Sequence, residues 1–536
     1  MSTTVSNVPL TPLALLERAA QVWPDKVAIT DGERRITYRE FAAMTQRLAH
    51  ALMSRGLGKG DRVAYLMPNI AEMLVGHFGV PLAGGVLVTV NTRLSPGEIA
   101  YILSHSAPRF VIVDSRLAAL AQASVQLTEP AESRPQVIVT GNIDVTLPAE
   151  WLRYVPFTSV AAGELSWSVA DENDAISLNY TSGTTGRPKA VVYTHRGAYL
   201  NALGEVIHSR LTPQSVYLWT LPMFHCNGWC TPWAVTGIGG SHVCLPEVRG
   251  EEIWRLIDTE NITHLNAAPT VLTMMMNTGA AHQLDGELCV TTAGAPPSPS
   301  TIAQMEALNF RIVHVYGLTE TYGPFAICEE QAAWSALPDE QQARRKARQG
   351  VPMIQAGRLR VVDDHMRDVP RDGATMGEIV MQGNNVMAGY FNDPDATRAA
   401  TEGGWFHSGD LAVMHPDGYI EIRDRAKDLV ISGGENISSV EVEQTLMSHP
   451  GVLEVAVIGV PDEKWGERPK AFVVRRPGCA PSEHELIEHV RAHLAHFKAP
   501  REVLIVDGLP KTSTGKVQKA VLRAPEWQGR ASLVQG

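Results

Sequence analysis

The amino-acid sequence predicts an α/β protein with a large N-terminal domain and a small α+β C-terminal domain. Three observations support this prediction. Short apolar runs alternate with helical patterns as far as about residue 324, a strand-rich stretch follows at about 350–424, and a compact mixed series comes after Asp424. With 536 residues, the chain is long enough to bury the cores of several such units.

The first half of the chain alternates helix and strand. A helix is expected over 37–56, because Thr37 and Glu40 have capping-box spacing and Gly56 marks the end. Short apolar, β-branched runs lie at 62–67, 86–90, 110–114 and 137–140, and two further strands are expected at 176–180 and 190–195. Such runs form strands covered on both faces, which is typical of parallel sheets in α/β units.

In the second half of the chain, the pattern of predicted secondary structure changes twice. The stretch 350–424 has strand-like runs joined by Asp-Gly turns at 372–373 and 417–418, which indicates a β-rich subdomain. After Asp424 the pattern predicts helix, strand, strand, helix and strand. Both of these helices begin with capping-box spacing, at Ser438/Glu441 and Ser482/Glu485.

Composition excludes several classes of protein. The chain has 46 basic and 57 acidic side chains, for a net charge of −11, which argues against nonspecific binding to nucleic acid or to a membrane surface. The N-terminus has no signal-peptide pattern, and no apolar run is long enough to anchor the chain in a bilayer. Six cysteines in so long a chain indicate reduced thiols and a cytoplasmic protein. The oligomeric state stays open, with a homodimer as one alternative.

The stretch TSGTTGRPK at 181–189 suits phosphate binding but is not a P-loop. Gly183 and Gly186 are too close together for that motif, and Pro188 removes an N–H donor where a P-loop begins its helix. Glycines allow the backbone to approach an anion closely, and the hydroxyl side chains supply donors. Taken alone, a polar surface turn is the simpler interpretation of such a loop.

Four motifs in fixed order change that interpretation: YTSGTTGRPKAVVYTH, VYGLTETYGP, WFHSGDLAVMHPDGYIEIRDRAKDLVISGGENIS and LPKTSTGKVQK. With them, the chain resembles the adenylate-forming acyl-CoA synthetase family over almost its whole length. The resemblance implies two α/β lobes and a β-barrel in residues 1–424, a hinge at 425–429 and a mobile domain at 430–536. It also implies a reaction in which a carboxylate attacks the α-phosphate of ATP, giving acyl-adenylate and pyrophosphate. Coenzyme A then displaces AMP.

The resemblance assigns phosphate and metal contacts. The residues implied to clasp the β- and γ-phosphates are Thr181, Ser182, Gly183, Thr184, Thr185, Gly186 and Lys189. Glu320 matches the Mg²⁺ carboxylate, with Thr181 as a further ligand, since Mg²⁺ bound to phosphates prefers oxygen ligands. Thr319 is implied to contact the α-phosphate. Outside the motif, an exposed carboxylate at a helix start would be the simpler interpretation of Glu320.

The resemblance also assigns the nucleoside contacts. The residues implied to surround adenine are Gly294, Ala295, Pro296, His314, Val315 and Tyr316. Asp410 matches the residue that accepts hydrogen bonds from both ribose hydroxyls, and Arg425 matches a second ribose contact. Ser408 stands where the family usually has threonine, and the hydroxyl group is kept. A turn-capping aspartate and a surface ion pair are the structural alternatives for Asp410 and Arg425.

The last of the four motifs contains Lys516, which has the central role in the implied reaction. Lys516 matches the family lysine that reaches between the substrate carboxylate and the α-phosphate, where it cancels charge as two anions meet. Lys427 falls on the implied hinge, and rotation there would replace Lys516 with Gly433 and Gly434 beside the pantetheine arm of coenzyme A. Trp465 is a further candidate for coenzyme A contact, with a packed core position as the alternative.

The stretch 222–235 falls where the family builds its acyl pocket. His225 is implied to border the reacting carbonyl, Trp229 and Trp233 to fill the tunnel, and Gly317 to line it. FHCNGW and YGLTETYGP resemble plant acyl-activating enzymes and bacterial methylmercaptopropionate ligases. Bulky indoles favour a short- or medium-chain acid, because a ring in the tunnel shortens it.

Three other activities stay open at this stage. The chain could load a separate carrier protein, it could use the adenylate as a luciferase does, or it could be a nucleotide-binding regulator without catalysis. No carrier domain follows Lys519, which favours a free thiol acceptor. The presence of Lys516, Glu320 and Asp410 weighs against a regulator.

Overall fold

A computed structural model describes residues 8–142, 147–160, 163–181, 188–295, 297–512 and 515–528. Six residues with predicted roles therefore lie outside the described residues: Ser182, Gly183, Thr184, Thr185, Gly186 and Pro296.

The secondary structure alternates as predicted in the first half and becomes strand-rich later. The strands are β1 Val27–Asp31, β2 Arg34–Thr37, β3 Arg62–Leu66, β4 Val86–Thr89, β5 Phe110–Asp114, β6 Gln136–Thr140, β7 Leu152–Arg153, β8 Ala175–Thr181, β9 Lys189–Thr194, β10 Val216–Leu218, β11 Ser241–Val243, β12 His264–Ala267, β13 Leu288–Thr292, β14 Phe310–Leu318, β15 Gly323–Ile327, β16 Val351–Pro352, β17 Gly357–Val362, β18 Met376–Gly383, β19 Gly389–Tyr390, β20 Phe406–Met414, β21 Ile420–Arg425, β22 Val430–Ser432, β23 Glu435–Ile437, β24 Val452–Asp462, β25 Gly466–Arg475 and β26 Glu502–Ile505. The helices are α1 Leu13–Val22, α2 Tyr38–Ser54, α3 Ala71–Leu82, α4 Pro96–Ser106, α5 Ala118–Leu127, α6 Tyr154–Thr158, α7 His195–His208, α8 Cys226–Trp229, α9 Thr231–Gly237, α10 Gly250–Glu260, α11 Pro269–Met276, α12 Pro299–Glu306, α13 Asp339–Lys346, α14 Pro394–Ala400, α15 Ser439–Met447, α16 Glu483–His493 and α17 Lys519–Arg523.

Two large sheets form the first part of the chain. One has the order β19-β9-β8-β4-β3-β5-β6-β7, and its strands β3 to β6 pair in parallel and are apolar on both faces. The other has the order β16-β15-β14-β13-β12-β10-β11-β1-β2, with β10 and β12 to β14 in parallel. Helix α3 is buried along its whole length. The capping box of Thr37 and Glu40 at the start of α2 forms as predicted.

The β-rich subdomain is an antiparallel sheet with the order β17-β18-β20-β21. Beyond it, β23-β22-β25-β24 and β26 carry α15 and α16 and enclose their own apolar core. The Ser482 capping box is complete. At Ser438 only half of the box forms, because the Glu441 carboxylate instead accepts a 2.6 Å bond from Lys498.

The architecture is therefore mixed α/β, with a large N-terminal and a smaller C-terminal domain, as the sequence predicts. The domain bounds 1–424, 425–429 and 430–536 stay predictions. Among the described residues, none of the helices combines the length and apolar character that crossing a bilayer requires.

One buried carboxyl group on α7 stands apart from the site residues. Glu205 is 2% exposed, its Oε1 atom has no hydrogen-bond partner, and none of the described basic side chains forms an ion pair with it. Burial raises the pKa of Glu205 to about 8. At neutral pH the carboxyl group is therefore mostly protonated and uncharged.

We expect Glu205→Gln to raise stability relative to the wild type as pH increases. Between about pH 4.5, where a free glutamate titrates, and about pH 8, the folded wild type binds more protons than the unfolded chain. Wild-type stability therefore falls across that window and levels off above it. Glutamine does not titrate, so the variant lacks this pH-dependent loss of stability. Tm of both proteins measured from pH 5 to pH 9 checks this, and a Tm difference that stays constant with pH would contradict it.

Candidate active site

Several of the predicted site residues that the structure describes contact one another beside β14 and the β20-β21 hairpin. The parallel strands β13 and β14 both end here, and ligands of open α/β sheets bind outside the carboxyl ends of the strands. The segment Gly294–Ala295 after β13 is exposed, and Gly294 has a φ of 92° and free space where a Cβ would lie. His314, Val315, Tyr316 and Gly317 lie on β14.

Tyr316, Asp410 and Arg425 form one hydrogen-bonded group. The Tyr316 hydroxyl donates to Asp410 Oδ2 at 2.8 Å, and Arg425 Nε lies 3.2 Å from Asp410 Oδ1. Asp410 and Arg425 are register partners of β20 and β21, so the hairpin itself sets their separation. His314 lies behind them on β14, where its Nδ1 contacts the Arg348 carbonyl at 3.0 Å and burial lowers its pKa to about 4.

Glu320 and Lys189 are linked through Tyr390. The Tyr390 hydroxyl donates to Glu320 Oε1 at 2.9 Å, and Lys189 Nζ lies 4.8 Å from the centre of the Tyr390 ring. Burial raises the pKa of Glu320, while the bond from Tyr390 and the charges of Arg425 and Lys189 oppose that rise. Thr181 is the register partner of Lys189, so both ends of the glycine-rich loop lie beside this group.

Sequence reasoning missed Tyr390. It follows Gly389 on β19, a two-residue strand at the edge of the first sheet, and its partner Glu320 lies 70 residues earlier in the chain. The pairing of β19 with β9 and a 2.7 Å bond from the Met387 amide to the Glu320 carbonyl bring the two segments together, and no local pattern in the sequence indicates these contacts.

Thr319 contacts the acyl side of the site. Its hydroxyl lies 3.3 Å from Cys226 Sγ, which is itself 3.6 Å from His225 Nε2. Burial lowers the pKa of His225 to about 4, and the nearby charge of Lys516 lowers it further, so this imidazole is neutral at pH 7. The backbone carbonyl of Thr319 accepts a 2.7 Å bond from Tyr193, which was also missed by sequence reasoning.

The segment after His225 is a left-handed helical turn. Five consecutive residues, Cys226 to Cys230, have φ values of 44°, 43°, 53°, 56° and 63°. Only Gly228 adopts this conformation freely, and each other residue is disfavoured by about 1–2 kcal/mol. The turn is fixed in part by Asn179, whose Oδ1 accepts a 2.9 Å bond from the Asn227 amide. Sustained strain of this kind is typical of functional sites.

The residues predicted for the acyl pocket lie in two separate parts of the structure. Trp229 packs on Gly323, where an added Cβ would lie 2.7 Å from the indole Cδ1. Gly317 is equally confined, because its Cβ would lie 1.8 Å from the Gly323 carbonyl oxygen. Trp233 lies deeper: it is fully buried and donates to the His77 carbonyl on α3 at 3.2 Å. The structure therefore groups Trp229 with Gly317 and sets Trp233 against α3.

Lys516 lies within the nucleotide-side group although it belongs to the C-terminal domain. Its loop is in contact with α11, because a Cβ on Gly515 would lie 2.3 Å from Thr270 Oγ1. Burial lowers the pKa of Lys516 to about 7; Arg425 also lowers it, while Asp410 opposes this. The charges of Arg425 and Asp410 therefore act on the Lys516 ammonium group, and the residue keeps partial exposure to solvent.

The coenzyme A candidates form a separate surface on the C-terminal domain. The Gly433 amide donates to the Trp465 carbonyl at 2.7 Å, and a Cβ on Gly433 would lie 2.6 Å from the Trp465 ring. Gly433 and Gly434 have φ values of 61° and 87°, so this turn favours glycine twice. Trp465 is 37% exposed. Lys427, between the two domains, is half-buried, and its carbonyl accepts a 3.1 Å bond from Arg523.

This fold and site define an enzyme that handles a nucleotide and an organic acid, and comparison with known proteins agrees. The AMP-binding enzyme family matches residues 16–391, and the AMP-binding enzyme C-terminal domain matches residues 441–516. An acetate–CoA ligase of Humulus lupulus is 44% identical, over 96% of this chain and 94% of that protein. A peroxisomal acetate/butyrate–CoA ligase of Arabidopsis thaliana is 43% identical, with the same coverage.

A solved structure shows the same architecture with an adenylate bound. The anthranilate CoA ligase in complex with anthranoyl-AMP has a TM-score of 0.85 and 25% identity, over 98% of this chain and 99% of that one. The chain belongs to the AMP-binding enzyme family. It is an AMP-forming acid–thiol ligase, which activates a carboxylic acid with ATP as the acyl-adenylate and transfers the acyl group to coenzyme A.

We expect Tyr390→Phe to lower kcat/KM for ATP by about ten- to a hundredfold, because it removes a hydrogen bond to a buried carboxylate. ATP-dependent pyrophosphate release over a range of ATP concentrations measures this. Tyr154→Phe is the matched control, since Tyr154 follows β7 at the opposite edge of the same sheet. Equal kcat/KM in Tyr390→Phe and the wild type would show that Tyr390 does not hold Glu320 in its working position.

Proposed function

We propose that this ligase acts on a short-chain carboxylic acid and that Lys516 brings the acid carboxylate and the α-phosphate of ATP together. The observation that carries this proposal is the contact of the Lys516 loop with α11 of the N-terminal domain, where a Cβ on Gly515 would lie 2.3 Å from Thr270 Oγ1. The Lys516 charge also acts on His225, and the Asp410 and Arg425 charges act on Lys516, which supports a role for this cation between the acyl and nucleotide residues.

The nucleoside end of ATP is bound by the hydrogen-bonded group. Asp410 accepts from the ribose hydroxyls, Arg425 holds the Asp410 carboxylate in place and adds a second ribose contact, and Tyr316 covers the adenine ring. Gly294, Ala295 and Pro296 lie against the base, with His314 and Val315 behind it. Lys189, Thr181 and the hydroxyl-rich loop Ser182–Gly186 bind the β- and γ-phosphates, and Thr319 contacts the α-phosphate.

Lys516 then reduces the repulsion between the two anions. Its ammonium group donates to the acid carboxylate and to the α-phosphate, so negative charge is neutralised where the new C–O–P linkage forms. His225 borders the carboxylate as a neutral imidazole, which adds no charge of its own. A missing donor of this kind costs on the order of a hundred- to a thousandfold in rate.

The residues around Glu320 fit a phosphate-bound Mg²⁺ ion. One buried carboxylate and one hydroxyl, Glu320 and Thr181, are a suitable protein contribution, because Mg²⁺ in such sites is held mainly by substrate phosphates and water. When bound, the ion supplies charge neutralisation on the phosphates. Tyr390 and Lys189 orient this carboxylate from the protein side.

The thioester step uses the other surface of the C-terminal domain. Rotation at Lys427, within a hinge at 425–429, withdraws Lys516 and presents Gly433, Gly434 and Trp465 to the pantetheine arm. The positive φ values of the two glycines, the free space around Gly434 and the partly exposed Trp465 ring support this assignment. We further propose that the enzyme works in the cytoplasm, where the six unpaired cysteines stay reduced, and as a homodimer.

The short acid is favoured by the pocket and by the relatives. Trp229, held by the left-handed turn and by Gly323, fills the space beside Gly317, and Trp233 closes the core behind it. The two relatives named above are called acetate– and acetate/butyrate–CoA ligases. A panel of acetate, butyrate, hexanoate, octanoate and benzoate tests the proposal through acid-dependent pyrophosphate release with ATP and Mg²⁺. AMP and acyl-CoA should form only when free coenzyme A is added.

Three results of that panel would contradict the proposal. Preference for octanoate or benzoate over acetate and butyrate would refute the short acid. Pyrophosphate release without thioester formation would indicate a carrier protein as the acceptor. No release with any acid would support a nucleotide-binding regulator.

We expect Trp229→Gly to shift the preference toward longer acids. Glycine tolerates the φ of 56° at this position, so the ring is removed without added backbone strain. The ratio of kcat/KM for octanoate to that for butyrate should rise by about tenfold or more. Trp254→Phe is the control, since Trp254 lies in an apolar core that does not include Trp229, where its indole N–H donates to the Met275 carbonyl. An unchanged ratio in Trp229→Gly would remove Trp229 from the tunnel.

A further inference from the structure

Asp424 joins the two domains next to the proposed hinge. It lies on β21, in the β-rich subdomain, and is 2% exposed. Its Oδ2 atom accepts a 2.5 Å bond from the backbone amide of Ser439, which is the first residue of α15 in the C-terminal domain. The same α15 terminus is bound a second time, because the Ser438 hydroxyl donates to the Arg423 carbonyl.

A lysine of the C-terminal domain supports this contact. Lys519, on α17, donates to the Ser439 hydroxyl at 2.6 Å and pairs with Glu443 at 2.7 Å. Its charge also stabilises the ionised form of Asp424, against the burial that raises the pKa of this carboxyl group. A carboxylate at the start of a helix is favoured by the free amides and by the helix dipole.

The two partners of this contact lie on opposite sides of the proposed hinge. Asp424 precedes Lys427 and Ser439 follows it, so a rotation at Lys427 moves one partner relative to the other. In the arrangement described here, the contact coexists with the packing of the Lys516 loop on α11, where a Cβ on Gly515 would lie 2.3 Å from Thr270 Oγ1. Arg425 is the neighbour of Asp424 on the same strand. The bond to α15 therefore belongs to the arrangement in which Lys516 reaches the nucleotide site.

We propose that Asp424 is a positioning residue: by binding the N-terminus of α15, it holds the C-terminal domain in the arrangement that forms the acyl-adenylate. The proposal rests on the proposed function, since it assumes that Lys516 acts in the first half-reaction and that the domain rotates for the second. Asp424 touches no substrate in this account, and it acts through the placement of Lys516.

Two half-reactions measured separately test the proposal. The first is pyrophosphate release from ATP and butyrate without coenzyme A, and the second is thioester formation from supplied butyryl-adenylate and coenzyme A. Asp424→Ala should lower the ratio of the first rate to the second by about fivefold or more. Asp424→Asn keeps an acceptor for the Ser439 amide and should recover most of that ratio.

Ser439→Pro tests the same bond from the other domain. Proline is well tolerated at the first position of a helix and has no N–H, so this variant removes the donor while keeping α15. It should shift the ratio in the same direction as Asp424→Ala. Ser439→Ala is the matched control, because it removes the hydroxyl that accepts from Lys519 and keeps the amide that donates to Asp424, so it should leave the ratio near the wild-type value.

The outcomes separate this inference from the function on which it rests. Equal loss of both half-reactions in Asp424→Ala, or an unchanged ratio in Asp424→Ala and Ser439→Pro, would overturn the role of Asp424. A wild type that releases no pyrophosphate with butyrate or any other acid would overturn the proposed function instead.

Discussion

Repulsion between two anions is the constraint on which this active site depends. A carboxylate and a triphosphate approach each other only if positive charge is placed between them in a site with little water. In the proposed mechanism, Lys516 of the C-terminal domain supplies this positive charge. Asp410 is paired with Arg425, and His225 is neutral because it is buried.

The acyl side of the site is held by backbone strain and close packing. Five residues in the left-handed conformation place Cys226 between His225 and Thr319, and they set Trp229 against Gly323. Such a turn persists only where its surroundings fix it, and Asn179 supplies one of the bonds that does so. Rigid support of this kind suits a reaction in which small displacements of the carboxylate lower the rate strongly.

The sequence predicts well what is local or motif-bound. The α2 capping box and the apolar parallel strands follow from short patterns. Contacts that join distant segments could not be predicted in this way. Tyr390 meets Glu320 through the pairing of β19 with β9 and the bond from the Met387 amide to the Glu320 carbonyl, which join distant segments. The left-handed turn has no signal stronger than Asn227-Gly228. At Ser438 the capping-box spacing is present, but only half of the box forms, because Lys498 binds the Glu441 carboxylate.

The most direct test of the central claim compares Lys516→Ala with the wild type in the two half-reactions. If Lys516 neutralises charge during adenylation, the variant loses acid-dependent pyrophosphate release by about a hundredfold or more and still converts supplied acyl-adenylate to the thioester. Equal losses in both steps, or pyrophosphate release at the wild-type rate, would contradict the account.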